Sequence, residues 1–278
     1  VRAMIDAALE TGDEAKVQTV IALAKAPNPD DAAELDAIMM RFKTDLVAAA
    51  AEEAAEKEAA IRSAGFFENW TGKGELGAFN STGNAENTGV TASLSLVKEG
   101  IRWRHKLAGR ADYQEANGVT TRAPFVASYE PNFKSTDRLF AYALAQYERD
   151  RFQGFSARYS ASAGLGYDVL TDGPTLSVKA GPAWRRTELV DGTSTSNLAG
   201  LAAFDFDWAI SDTISFTQDG SALVQSGSST FISDTGVQAA ISDAFSVRLS
   251  YTLEHDTDPP LGAVKTDSLS RITILYDF

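Results

Sequence analysis

The chain has 278 residues, 38 acidic and 25 basic side chains for a net charge of −13, and no cysteine. That balance, with a pI near 4.6, excludes a nucleic-acid-binding surface, and the missing cysteine excludes a disulfide framework, a thiolate nucleophile, a Cys-ligated zinc and a lipoprotein anchor. At 44% apolar the chain is too hydrophobic to be disordered, yet no 18-residue apolar run offers a transmembrane helix; the best candidate, residues 46–60, carries Glu52, Glu53, Glu56, Lys57 and Glu58. No signal peptide opens the chain, so the numbering is expected to begin inside a processed protein.

Two compositions divide the chain near Gly65. Of 27 aromatic residues only Phe42 precedes residue 66, and of 21 glycines only Gly12 and Gly65 do, whereas 19 alanines do; the first part favours helix and the second strands and turns. Residues 1–65 read as three helices. The first, residues 2–11, stops at Gly12. Asp13 caps the second, whose Val17, Val20, Ile21 and Ala24 keep the helical period. Asn28 caps the third after a Pro27-Asn28-Pro29 break, and it runs to about Arg62 with the stripe Leu35, Ile38, Met39, Phe42 and Leu46. A long helix with so few large apolar groups needs helices 1 and 2, other copies of itself or another partner, and Leu35, Ile38, Phe42 and Leu46 are expected to form an oligomer or docking face.

From Trp70 onward, segments of about 10–14 residues alternate with period 2. One phase of residues 101–113 is Ile101, Trp103, His105, Leu107, Gly109, Ala111 and Tyr113; the other is Arg102, Arg104, Lys106, Ala108, Arg110 and Asp112. Phe155, Ala157, Tyr159, Ala161 and Ala163 alternate similarly, as do Phe245, Val247, Leu249, Tyr251 and Leu253. Short turns fall at residues 98–100, 133–135, 171–173, 211–212 and 242–243. They interleave with mostly longer polar loops at 81–87, 115–118, 149–154, 188–197, 225–229 and 254–267, which gives twelve strands.

Three features make this a membrane barrel rather than a soluble sandwich. The strands exceed the usual five or six residues and suit a tilted membrane span. Arg102, Arg104, Lys106 and Arg110 on one strand face would each cost several kcal/mol in a dry core. Trp103, Tyr113, Tyr129, Tyr147, Tyr159, Tyr167, Trp184 and Trp208 lie near segment ends in the apolar phase, as interfacial girdles do. The expected fold is an all-β, antiparallel, up-and-down outer-membrane barrel of about twelve strands over residues 66–278, with a helical periplasmic domain over 1–65. Ile272, Ile274, Tyr276 and the terminal Phe278 share a phase and look like the signal read by the barrel-assembly machinery.

The stretch Trp70-Thr-Gly-Lys-Gly-Glu-Leu-Gly followed by Ser81-Thr-Gly-Asn84 resembles the bacterial salt-induced outer-membrane protein family, also called the YdiY-like family. Tyr147-Glu-Arg-Asp-Arg-Phe152, then Gly154, Arg158 and Gly164-Leu-Gly-Tyr167, carries the same resemblance, which covers about residues 66–278. It implies an outer-membrane barrel and no activity, substrate or catalytic residue.

The sharpest candidate site is the basic row Arg102, Arg104, Lys106 and Arg110, joined by Arg122 and Arg158 and further round by Lys179 and Arg248. It reads as an anion-selecting constriction. The alternative is a packed lumen in which these cations pair with Glu75, Glu130, Glu148, Asp205, Asp207, Asp219 and Asp234. Glu148-Arg149-Asp150-Arg151 reads as a salt-bridged rim, and residues 255–258 as a solvated acidic run rather than a calcium site. His105, in the lipid-facing phase, and His255, in a loop, lie at opposite strand ends, so neither an esterase triad nor a two-histidine metal site is expected. No enzyme, cofactor or metal is expected. The expected partners are outer-membrane lipid and lipopolysaccharide, the assembly machinery, and a second copy or a periplasmic partner on the helices. A small channel is the first functional expectation and a self-associating envelope protein the second.

Overall fold

A computed structural model describes residues 2–65, 68–82, 87–116, 119–227, 229–259 and 264–278. The chain divides into two compact units, Val1–Phe66 and Phe67–Phe278.

The first unit is helical. α1 (Arg2–Glu10) and α2 (Glu14–Lys25) pack with α3 (Ala32–Ser63) around Ile5, Ala8, Val17, Ile21, Ala24 and Leu35. Asp13 caps α2 as expected, accepting from the backbone N–H of Ala15 at 3.0 Å and Lys16 at 3.1 Å. The third start differs. Pro29–Asp31 form one 3-10 turn, and α3 begins after Asp31 without a side-chain cap. The Asn28 amide turns back instead and donates to the Ala24 carbonyl at 2.9 Å, so it satisfies an orphan acceptor at the end of α2. Among the described residues no helix is long and apolar enough to cross a membrane, which says nothing of strands.

The second unit is one closed antiparallel sheet. Its segments are β1 (Trp70–Thr82), β2 (Asn87–Glu99), β3 (Trp103–Ala116), β4 (Val119–Arg122), β5 (Phe125–Lys134), β6 (Leu139–Asp150), β7 (Phe155–Leu170), β8 (Thr175–Leu189), β9 (Ser194–Ala209), β10 (Ile214–Gln225), β11 (Thr230–Ala240), β12 (Phe245–Asp256) and β13 (Thr266–Asp277). β4 and β5 both pair with β3 and are two pieces of one strand broken before Phe125, where Pro124 offers no N–H. The barrel therefore has twelve staves. Each pairs with its sequence neighbours, and β1 pairs with β13 to close the ring, so no edge is left open. Closure runs through the last residue: Gly72 N–H donates to the Phe278 carbonyl at 2.8 Å and Phe278 N–H returns to the Gly72 carbonyl at 3.0 Å.

The predicted short turns all connect strands at one end, the turn end. The contrast with the other end is smaller than expected. The 188–197 loop, for example, shrinks to the four residues between Leu189 and Ser194, because Ser194–Ser196 continue the ladder against Arg186–Glu188. The stretch between Asp256 and Thr266 is the long connection.

Facing follows the pleat. Trp103, Tyr113, Tyr129, Tyr159, Tyr167, Trp184 and Trp208 are exposed on the outer surface with Leu76, Leu94, Leu165, Leu249, Ile272 and Ile274. This outward row is the lipid face of the span. One segment departs from the expected phase. A bulge between Phe155 and Ala157 swings Phe155 out of the lipid row, and its buried ring lies under the Arg158 guanidinium, 3.9 Å away.

Candidate functional site: the barrel lumen

The inward phase carries the charge. At the turn end, Arg104 on β3 pairs with Glu99 on β2 at 2.8 Å, Lys134 on β5 joins the same carboxylate, and the Lys134 ammonium also donates to the Gly100 carbonyl at 2.9 Å.

Deeper in, two ion networks cross the barrel. Lys179 on β8 reaches Glu130 on β5 at 2.7 Å over the two intervening strands, and Asp205 on β9 at 3.9 Å. Lys106 on β3 lies 3.9 Å from the same Asp205, although β5, β6, β7 and β8 separate the two along the wall. In the second network Arg248 on β12 contacts Glu75 on β1 at 3.4 Å and donates to Asp234 on β11 and Thr217 on β10, both at 3.1 Å. Arg271 on β13 lies 3.5 Å from Asp234 and donates to Thr252 at 2.9 Å; the Thr252 hydroxyl donates to Asp234.

Toward the opposite end, Arg158 on β7 pairs with Glu148 on β6 at 3.3 Å. Arg185 on β8 donates across to Thr230 on β11 at 2.9 Å, and the Thr230 hydroxyl donates to Asp256 at 2.6 Å. Beside these lies a dry patch inside the barrel: Phe140, Tyr142, Ala183, Leu201 and Leu223 pack together, with Leu144 and Ala199 against them. Inward side chains thus fill part of the lumen, as expected of a narrow barrel.

The predicted basic row is partly realised. Arg104, Lys106 and Arg110 face inward on β3, but Arg102 precedes β3, exposed in the turn, where its carbonyl accepts from Lys134 N–H at 2.8 Å. The strand begins at Trp103, two residues later than the alternation from Ile101 suggested. Arg158 joins the lumen; the side chain of Arg122 lies outside the described residues. Among the described residues no acid pairs with Arg110. Opposite it on the wall, Asp205, Asp219 and Asp234 stand side by side as direct cross-strand partners on β9, β10 and β11. Asp205 and Asp234 are held by cations; among the described residues Asp219 has no such partner. Like charges directly opposite oppose folding, and no group of three acids or histidines among the described residues closes enough to hold a metal ion.

Four lumen features escaped the sequence pattern. Arg185 and Arg271 were readable by parity, because Trp184 and Ile272 beside them face out. Asn132, 2% exposed, was readable in the same way, two residues from Glu130 and beside Phe133, which packs on outward Trp103; the apolar patch had no such signal, since an alternating strand does not announce which inward groups meet across the barrel. Elsewhere, Asp150 accepts from Phe152 and Gln153 N–H at 2.9 and 3.3 Å and shapes its loop. His105 stacks between Trp103 and Tyr129 on the outside, with Nδ1 2.9 Å from the Tyr129 hydroxyl. His255 belongs to the end of β12 rather than to a loop, 2.8 Å from the Thr266 hydroxyl. In the helical unit Leu35 is buried, and Ile38 and Phe42 pack on the core it belongs to, so these residues serve internal packing; Leu46 is half-buried.

The barrel has the fold of outer-membrane proteins. It superposes on the NanC porin with a TM-score of 0.53 at 10% identity, over 74% of this chain and all of that one. In sequence the chain is 25% identical over 203 residues to the uncharacterized protein YdiY of Escherichia coli strain K12, covering 72% of this chain and 80% of the relative. Residues 74–278, the barrel almost from end to end, match one family throughout, and the chain belongs to that family, described as a protein of unknown function, DUF481.

Proposed function

We propose that this chain is a narrow channel of the outer membrane whose water path runs between the basic face of β3 and the acid ladder of β9–β11. The observation that carries the reading is the lumen itself: a charged, hydrogen-bonded interior with opposite signs on facing walls. Such a transverse arrangement orients and sorts small charged solutes. The anion preference expected from the basic row gives way here to a cation preference. Arg104, Lys106, Arg158, Lys179, Arg248 and Arg271 are each within 4 Å of a carboxylate and Arg110 and Arg185 are not, whereas among the described residues Asp112, Asp207 and Asp219 have no cation that close, so acids without an ion pair outnumber such cations. No chemistry is assigned to the two histidines at opposite ends.

Reconstitution in planar bilayers under a KCl gradient tests this. The expected result is stepwise conductance with a reversal potential of cationic sign that moves toward zero in Asp219→Asn. Absence of conductance above an empty bilayer removes the channel, and an anionic sign removes the preference.

A second reading is a structural envelope protein that self-associates through periplasmic helices. Met40 and Val47 on α3 favour it, because both are large apolar side chains left exposed one heptad apart on the helix. Crosslinking the full chain in membranes should then trap a dimer that Val47→Glu abolishes; a monomer throughout excludes it. In both readings the outer surface contacts lipid and lipopolysaccharide, and the assembly machinery reads the C-terminal strand.

A further inference from the structure

At the turn end a cavity of about 410 Å³ opens beside the lumen, lined by Arg104, Asn132, Lys134, Arg138, Phe140 and Asp168 among others. Its floor is built. Asn132 is 2% exposed, its amide N–H donates to Glu130 at 3.2 Å, and its Oδ1 has no hydrogen-bond partner among the described residues. Buried acceptors are nearly always satisfied, so this oxygen asks for a donor from whatever occupies the cavity. The buried Phe140 ring gives the floor an apolar side.

The rim supplies the opposite demand. Arg138 sits in the turn between β5 and β6, fixed there because its carbonyl accepts from Asp168 N–H at 2.8 Å and its N–H bonds the Thr136 hydroxyl at 3.3 Å. Among the described residues no acid pairs with the Arg138 guanidinium. Arg104 and Lys134 share the single carboxylate of Glu99. Three cations therefore face the cavity, while Asp137 and Asp168, which also line it, disfavour a multiply charged anion.

We propose that this cavity binds a small monocarboxylate that also carries a hydroxyl group. The carboxylate sits against Arg138 and Arg104, a hydroxyl donates to Asn132 Oδ1, and the carbon skeleton lies on Phe140. The site needs no conduction, so it stands apart from the channel reading.

Calorimetric titration of the full chain in detergent tests it with three probes: gluconate, hexanoate and sorbitol. Gluconate should bind, with hexanoate and sorbitol each weaker by about tenfold, the value of one hydrogen bond to a charged or buried partner. Arg138→Gln should weaken gluconate by about tenfold, and Asn132→Leu should erase the advantage of gluconate over hexanoate. No heat with gluconate, equal affinity for all three probes, or unchanged affinity in Arg138→Gln overturns the proposal. Because Arg138 is in an exposed turn, its variant keeps the test decisive even if Asn132→Leu fails to fold. A barrel that binds gluconate without conducting keeps this site and loses the channel.

Discussion

Lys179 shows how a charge survives inside this barrel. The side chains of Lys179 and Glu130 are 12% and 9% exposed, and each is tolerable only because the other is there. Asp205 adds a second, longer contact. Removing one partner of such a pair strands the other charge, which costs far more than losing both. Lys179→Met should lower barrel stability by about 3 kcal/mol, whereas Lys179→Met with Glu130→Gln should recover most of the loss. Urea unfolding in detergent, followed by the heat-dependent gel shift of folded barrels, reads both. If the double variant is as unstable as the single one, the pair is not what holds this level of the lumen. The inward position of the basic row on β3 could be read from parity alone. Which acid each cation meets could not, because Asp205, one of the acids expected to face inward, is about a hundred residues from Lys106 in sequence with four strands between them around the wall.

At the scale of the element, glycine placement shapes the wall. Gly164 on β7 and Gly181 on β8 face each other so closely that a Cβ on Gly164 would lie 2.1 Å from the Ala180 carbonyl oxygen and 2.7 Å from the Gly181 Cα. Those atoms are backbone and cannot move aside, so the two strands approach as only glycines allow. Gly164→Val should prevent closure: folded barrel should be nearly absent from gels of refolded protein, while Gly74→Ala, where a Cβ meets nothing within 4 Å, should fold normally. Among the helices, the Asp13 carboxyl is held below its ordinary value of 3.8 by the Lys16 N–H and the Lys16 ammonium. A carboxyl whose folded-state value is depressed stabilises above its unfolded value and loses that contribution as pH falls through the folded one. The helical signal of the full chain should therefore weaken below about pH 4 in the native protein, and Asp13→Ala should blunt that acid-dependent step in circular dichroism. An identical acid profile in the variant would show that the cap is not the sensor. The cap was legible from local sequence, since Asp before a helical period has one common role. Asn28 was not: its amide had two helix ends within reach, and only packing chose the end of α2.

At the scale of the whole molecule, the barrel closes where Phe278 meets Gly72. Phe278 forms a reciprocal backbone pair with Gly72, and its ring stacks near Tyr276 at 5.8 Å on the outer surface. The pairing is made by backbone atoms, so the proposed role of the exposed ring as an assembly signal can be tested apart from closure. Phe278→Ser should leave the unfolding temperature of assembled barrels nearly unchanged but reduce the amount that reaches the membrane, measured by outer-membrane fractionation. An equal loss in both would assign the ring to stability instead.

Local sequence was enough for the division near residue 65, the antiparallel alternation, the twelve staves and the outward aromatic rows. Each of these follows from local chemistry: helix or strand preference, the two-residue period, and turn residues at regular intervals. The filling of the lumen was set by tertiary structure. Which cation meets which acid, where Phe155 leaves the lipid row, and how Asn132 comes to line a cavity with Arg138 all depend on strand register and ring closure. Those bring together side chains far apart along the chain, and no local pattern encodes distances across a barrel.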